Sequence, residues 1–226
     1  MGFVLIPGAG GSAWYWHLLE PELRKRGHEV VAVSLPAADE RAGLREYADA
    51  VARAAGGLDG AGLVVVAQSL AGFVAPLVCE RMAVTLLVLL NAMIPNPGET
   101  PGEWWGNTRH AEAKRSAFDP RADFFHDVPR RVVAEAFAQG EPRQSERPFG
   151  TRCAFKAWPG VPTRVLVGRD DRFFPAAFQR RVARERLGVK PDEMPGGHLV
   201  ALSRPQELAR RLHAYAAKLS LEGALT

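Results

Sequence analysis

Leu63-Val64-Val65-Val66-Ala67-Gln68-Ser69-Leu70-Ala71-Gly72 begins as an apolar run and stops abruptly at a serine flanked by small residues. The run is short, β-branched and apolar at every position, which is the signature of a parallel strand buried on both faces. Residues 70–82 then read as a helix. A serine on the sharp turn between such a strand and helix has its hydroxyl exposed at the strand's end, where it can act as a nucleophile. The turn brings strand end and helix start close together, so the positions two before and two after the serine must be small. Here they are Ala67 and Ala71. The bland alternative is that Ser69 only caps its helix.

Working outward, strands and helices alternate, which predicts an α/β fold: a mainly parallel six-stranded sheet with helices on both faces. Strands are expected at residues 3–6, 29–35, 84–90 and 163–167, besides the run before Ser69. A helix over residues 18–26 is stopped by Gly27. Leu44, Tyr47, Val51 and Ala55 space as a helical stripe that ends at Gly56-Gly57. Leu208, Leu212, Tyr215 and Leu219 mark a C-terminal helix, and Ser203-x-x-Gln206 reads as its capping box. Pro76 falls inside the helix after Ser69 and is expected to bend it or to cost stability.

The 226 residues suit a single domain, 1–226, with a sizeable core. Residues 92–159 break the alternation and form an insertion between two strands, over the sheet end where open α/β sheets bind ligands. They hold Trp104, Trp105, Phe118, Phe124, Phe125, Phe137, Phe149, Phe155 and Trp158, nine of the chain's 19 aromatics. That density fits either a helical lid lining an apolar pocket or a satellite core in which the rings pack on one another.

Charge narrows the function classes. The 29 basic and 25 acidic residues are interleaved, with a net charge of +4 and no aromatic-basic stripe, so nucleic-acid binding is not indicated. Arg180, Arg181, Arg184 and Arg186 read as a solvated helix face. No apolar stretch is long enough to span a bilayer, and the first residues lack a basic signal-peptide region. The two cysteines, Cys79 and Cys153, have no metal-ligand spacing, so a reduced cytoplasmic chain without metal or cofactor is expected.

A serine hydroxyl needs a base to take its proton, and the base needs an orienting carboxylate. Residues 165–175 run from a strand into an acidic turn carrying Asp170 and Asp171. Met194-Pro195-Gly196-Gly197-His198-Leu199 presents a histidine on a loop before the last helix. Serine, acid and histidine thus follow in the order that a serine triad takes on an α/β sheet. The spacing from Gly168 favours Asp171 over Asp170 as the acid. The glycine-rich loop Pro7-Gly8-Ala9-Gly10-Gly11-Ser12 lacks the Gly-Lys-Ser/Thr of a phosphate cradle and the third glycine of a dinucleotide fingerprint. It suits an oxyanion hole, with the N–H groups of Ala9 and Leu70 converging on a developing negative charge. Gly8, Gly10, Trp104, Trp105 and Leu199 are the candidate substrate contacts.

These features together resemble the α/β-hydrolases, in the branch that holds plant methyl esterases and hydroxynitrile lyases. The matching residues are 3–6, Gly8-Ala9, Ala13-Trp14-x-Trp16, the turn at Ser69, Asp171-x-x-Phe174 with Phe178-Gln179, and Gly197-His198. The resemblance implies Ser69 as nucleophile, His198 as base, Asp171 as acid, and Ala9 and Leu70 as oxyanion donors. It departs at Pro7, where the family usually has His, at Gln68, often His or Glu, and in a short lid. The implied activity is hydrolysis of a small ester, lactone or thioester through an acyl-enzyme, by a monomer or homodimer. The rivals are a lyase using the triad for proton transfer and a binding receptor that retains it. In the related lyases a Thr stands at the position of Gly8 and a Lys at that of Leu199, so this chain is expected to hydrolyse esters rather than cleave cyanohydrins.

Overall fold

In the computed structural model, which describes residues 1–58, 62–114 and 116–223, the alternating segments form one six-stranded sheet. The strands are β1 (Gly2–Ile6), β2 (Glu29–Ala32), β3 (Leu63–Gln68), β4 (Leu86–Leu90), β5 (Thr163–Gly168) and β6 (Asp192–Met194). Their order is β2-β1-β3-β4-β5-β6, and every neighbouring pair is parallel, so the sheet is wholly rather than mainly parallel. β3 and β4 lie at the centre with every residue buried. The edge strand β6 is short and carries Asp192 and Glu193, which discourages pairing with another chain.

The period of two along each strand divides the core into two layers. Val4, Ile6, Val65, Ala67, Leu87 and Leu89 face one side, covered by helices Leu44–Ala55, Ala75–Cys79 and Ala176–Leu187. Phe3, Leu5, Val64, Val66, Val88 and Leu90 face the other, covered by Leu19–Arg24 and Pro205–Gly223. Each such side chain removed from water contributes roughly 1.5–3 kcal/mol before the entropy of ordering it is subtracted.

Several local expectations change. β2 stops at Ala32 instead of running to residue 35, because the Leu35 N–H turns away to the Gly11 carbonyl (2.8 Å). The helix after Ser69 is two pieces, a 3-10 turn Ser69–Phe73 and an α-helix Ala75–Cys79. Pro76 therefore sits in a first turn, where no N–H bond is lost and no bend is needed. The capping box at Ser203 does not form: Ser203 closes a separate turn, Val200–Ser203, and its buried hydroxyl finds no partner among the described residues. Arg186 leaves the solvated face and forms a buried ion pair with Glu99.

Between β4 and β5 lie helices Pro101–Asn107, His110–Ala113, Pro120–Phe124 and Arg130–Ala138. The aromatic segment divides in two. Trp104, Trp105, Phe149, Phe155 and Trp158 join or back the main core. Phe118, Phe124, Phe125 and Phe137 instead line a cavity over the sheet's C-terminal edge.

Candidate active site

The last residue of β3 is Gln68, and Ser69 follows with φ +52°. That left-handed backbone costs a non-glycine residue of order 1–3 kcal/mol and persists only where neighbours enforce it. Here the Ser69 carbonyl accepts from the Met93 N–H at 2.9 Å. A Cβ on Gly72 would lie 1.9 Å from the Met93 oxygen, so the chain after β4 presses directly on the turn. Ala67 and Ala71 are both buried as the turn requires, but Gly72 is the position that admits no side chain at all.

The structure brings the three widely separated triad candidates together. His198 Nε2 lies 3.1 Å from Ser69 Oγ, and His198 Nδ1 lies 2.8 Å from Asp171 Oδ2. His198 and Asp171 are 2% and 4% exposed, so water competes little with either contact. Asp171 Oδ1 accepts the N–H groups of Phe173 and Phe174, each at 2.8 Å, and Gln179 Nε2 donates to Oδ2 at 3.3 Å. These donors hold the carboxylate at a fixed angle. Phe124 stacks on the imidazole at 5.1 Å, closing it from above. Asp170 points elsewhere. Its Oδ2 accepts the Gly196 N–H at 2.9 Å, and that bond holds its pKa below the ordinary carboxylate range.

Three positioning residues are absent from the sequence reading. Asn91, fully buried at the end of β4 with φ +43°, donates from Nδ2 to the carbonyls of Gly197 and His198, both at 3.1 Å. Its Oδ1 accepts the Gly168 N–H at 2.7 Å, so one amide ties the histidine loop to the acid strand. Asp127, from the inserted segment, accepts the Gly197 N–H at 2.7 Å. His110 Nε2 faces the Phe173 carbonyl oxygen at 2.7 Å, which makes that nitrogen the donor, and burial lowers the ring's pKa and keeps it neutral. Only Asn91 leaves a trace in the sequence, a polar residue that ends an apolar run as Gln68 does.

On the other side of Ser69 lies the glycine-rich loop. Leu70 N–H is in the first turn of the 3-10 segment, where a donor has no helical acceptor. Ala9 N–H has no acceptor among the described residues. Gly8 and Gly10 line the cavity, but their N–H groups are occupied by Gln68 Oε1 (3.0 Å) and Gln144 Oε1 (2.9 Å). A Cβ on Gly8 would lie 2.6 Å from Gln68 Oε1 and 2.8 Å from Ser69 Cβ, so glycine is the one residue that fits.

The cavity has a volume of about 750 Å³ and opens beside Gly8, Ala9 and Gln68. Trp14, Phe118, Phe124, Phe125, Phe137 and Leu199 make its walls, and among the described residues the one charged side chain that lines it is Glu141. Burial pushes the pKa of the lining Tyr15 phenol up, so it stays neutral. Leu199 thus touches the cavity as expected, whereas Trp104 and Trp105 do not. Trp104 is fully buried, donates from Nε1 to the Ile94 carbonyl (3.0 Å) and packs on Phe174 and Phe178. Trp105 meets Phe173 edge-on at 5.7 Å. Both tryptophans support the turn that carries Asp171 from behind. Adjacent large apolar side chains suggest a pocket wall, but their sequence alone does not tell which face of a short helix meets a cavity.

Among the described residues, no helix is long and apolar enough to cross a membrane. Residues 3–211 match the alpha/beta hydrolase family. Norfluorocurarine synthase 1 from Strychnos sp is 25% identical over 96% of this chain and 96% of its own. Methyl jasmonate esterase 1 from Vitis vinifera is 31% identical over 42% of this chain and 40% of its own. Among solved structures, a pyrethroid hydrolase from Sphingobium faniae superposes with a TM-score of 0.76 at 22% identity, covering 96% of this chain and 97% of that one.

Proposed function

Because the chain belongs to the alpha/beta hydrolase family, we propose that it cleaves a small, neutral, largely apolar carboxylic ester, lactone or thioester through an acyl-enzyme on Ser69. The observation that carries this reading is the continuous pair of contacts from Ser69 Oγ through His198 to Asp171, ending beside an apolar cavity. His198 Nε2 takes the Ser69 proton as Oγ attacks the carbonyl carbon, and Asp171 holds the proton on Nδ1 and stabilises the imidazolium that forms. The carbonyl oxygen becomes an oxyanion between the N–H groups of Ala9 and Leu70, donors worth about 10²–10³ in rate each where such groups have been removed. The imidazolium then protonates the leaving alcohol or thiol, and the acyl group stays on Ser69. Water, activated by the same imidazole, reverses the sequence and frees the acid.

The segment over residues 92–159 is the lid in this reading. Its helices Pro120–Phe124 and Arg130–Ala138 carry the aromatic wall, and Glu141, the one charged lining side chain among the described residues, disfavours anionic substrates. The ester names of several relatives support the substrate class. Gly8 and Leu199 support hydrolysis over cyanohydrin cleavage, since the first admits no side chain and the second carries no charge.

The test is a fluorophosphonate probe together with a panel of p-nitrophenyl esters, lactones and thioesters. Labelling at Ser69 and turnover of a member of the panel are expected, with Ser69→Ala losing at least about a thousandfold in rate. Equal turnover by Ser69→Ala, with contaminating esterase excluded, would overturn the assignment.

A further inference from the structure

The loop after β1 offers N–H groups at Gly8, Ala9, Gly10 and Gly11, since Pro7 has none. Each one but Ala9 is engaged. Gly8 donates to Gln68 Oε1, Gly10 to Gln144 Oε1 and Gly11 to the Gly8 carbonyl. Gly10 and Gly11 have φ of +82° and +61°, in the region that glycine leaves as freely as it enters. The Gly8 carbonyl shares a peptide plane with the Ala9 N–H, so the Gly11 bond at 3.1 Å is the loop's own hold on that group, and the flanking glycines add little stiffness to it. The peptide planes before and after that one are held by two glutamine carboxamides, one preceding Ser69 and one from the lid.

The lid glutamine is itself anchored at its far end. Gln144 Nε2 donates to Tyr47 Oη at 3.1 Å and to the Ser145 carbonyl at 2.9 Å. Tyr47 is fully buried on helix Leu44–Ala55, and the Ser145 N–H donates to the Ala37 carbonyl at 2.8 Å. Beside these bonds, Pro142 Cβ lies 2.7 Å from the place a Cβ on Gly10 would take, so the lid's trailing segment sits directly on the loop.

We infer that Gln144 is a positioning residue for the oxyanion hole: by holding the Gly10 N–H and bracing it on Tyr47, it sets the direction of the Ala9 N–H. Lid and oxyanion hole are then one unit, and loss of the lid contact weakens transition-state binding rather than substrate capture. This rests on the acyl-enzyme reading, because only a developing oxyanion depends on where Ala9 N–H points. The ground-state ester is held by the aromatic walls, which Gln144 does not join.

The test is Gln144→Met, similar in length but without the acceptor, measured beside wild type and Ser69→Ala. Three quantities are read: kcat, KM and inhibition by a trifluoromethyl ketone. That ketone adds to Ser69 and leaves an oxyanion in the hole, while its methyl ketone parent binds without adding. The expected result is a fall of about tenfold or more in kcat, part of the 10²–10³ that loss of a whole donor costs. KM should stay within about twofold. Trifluoromethyl ketone affinity should fall by a similar factor to kcat/KM, with methyl ketone affinity unchanged. Tyr47→Phe, which keeps the Gly10 contact and removes its brace, should shift the same quantities by a smaller factor, and it carries the test if Gln144→Met does not fold. A Gln144→Met enzyme with wild-type kcat and ketone affinity overturns the inference and leaves the hydrolase reading standing. So does a loss confined to KM and shared by both ketones. A wild type whose turnover equals that of Ser69→Ala overturns the hydrolase reading first, and the inference with it.

Discussion

Two adjacent carboxylates end the turn after β5, and their hydrogen bonds separate what each does. Asp171 is buried, faces His198 and accepts two backbone N–H groups, whereas Asp170 is exposed and accepts the Gly196 N–H. Asp171→Asn should therefore cost about 10⁴ in kcat, because an amide can hold the wrong imidazole tautomer. Asp170→Asn should leave kcat within a few-fold, and the reverse ranking in steady-state assays would reassign the acid. Asp170 acts on stability instead. Its folded pKa lies below its unfolded value, so its contribution is fully present above the unfolded pKa, about 3.9, and fades as pH falls through the folded one. Urea midpoints from pH 5 down to 2.5 should fall less steeply for Asp170→Asn than for wild type. Identical slopes would deny it that role. The meeting of Ser69, Asp171 and His198 is legible because serine, acid and histidine follow one another along the chain in an order that needs no contact to be read. Asn91, Asp127 and Gln144 are not, because each acts by approaching a loop remote in the chain, and no motif records that approach.

At the scale of elements, the sequence periods identify the helix Leu44–Ala55 to the residue and both central strands, β4 starting at Leu86 rather than at residue 84. The errors fall where tertiary contacts decide. Pro76 is harmless because a 3-10 turn ends before it, and Ser203 fails to cap because a short extra turn absorbs it. The aromatic segment is the instructive case, since ring density is the same for a core and for a cavity wall. The structure separates the two by what lies opposite each ring. Trp104→Ala should lower stability by about 3–5 kcal/mol, as a fully buried aromatic does, and change KM alike for acetate and for bulky acyl esters. Phe137, 45% exposed at the cavity wall with the Arg121 guanidinium 4.0 Å from its ring centre, should behave oppositely. Phe137→Ala should raise KM for bulky or aromatic esters several-fold, leave acetate nearly unchanged, and shift the unfolding midpoint little. Chemical denaturation and an ester series on both variants check the pair, and an interchange of the two patterns would return the tryptophans to the pocket.

For the whole molecule, the parallel sheet sends every chemically useful group to one edge. β1 ends in the glycine-rich loop, β3 in Gln68 and Ser69, β4 in Asn91, and β5 in the turn of Asp171. Ligands of open parallel sheets bind at that edge, but the fold does not choose the reaction. What chooses here is the space around Ser69. A side chain at position 8 would meet both Gln68 Oε1 and Ser69 Cβ, so this scaffold cannot take the hydroxyl-bearing residue expected of a cyanohydrin lyase without displacing Ser69. Leu199 adds an apolar wall where departing cyanide would need a cation. Wild type should therefore release no Ser69-dependent cyanide from mandelonitrile while hydrolysing an ester of similar size. Gly8→Thr should lose ester turnover by about a hundredfold or more, since the intruding Cβ moves Ser69 away from the oxyanion donors. Leu199→Lys should instead raise KM for neutral esters with a smaller effect on kcat, because a buried charge opposes apolar binding and leaves the triad in place. Efficient Ser69-dependent cyanide release by wild type would reverse the functional assignment, and a fully active Gly8→Thr would show that position 8 does not govern the space around the nucleophile.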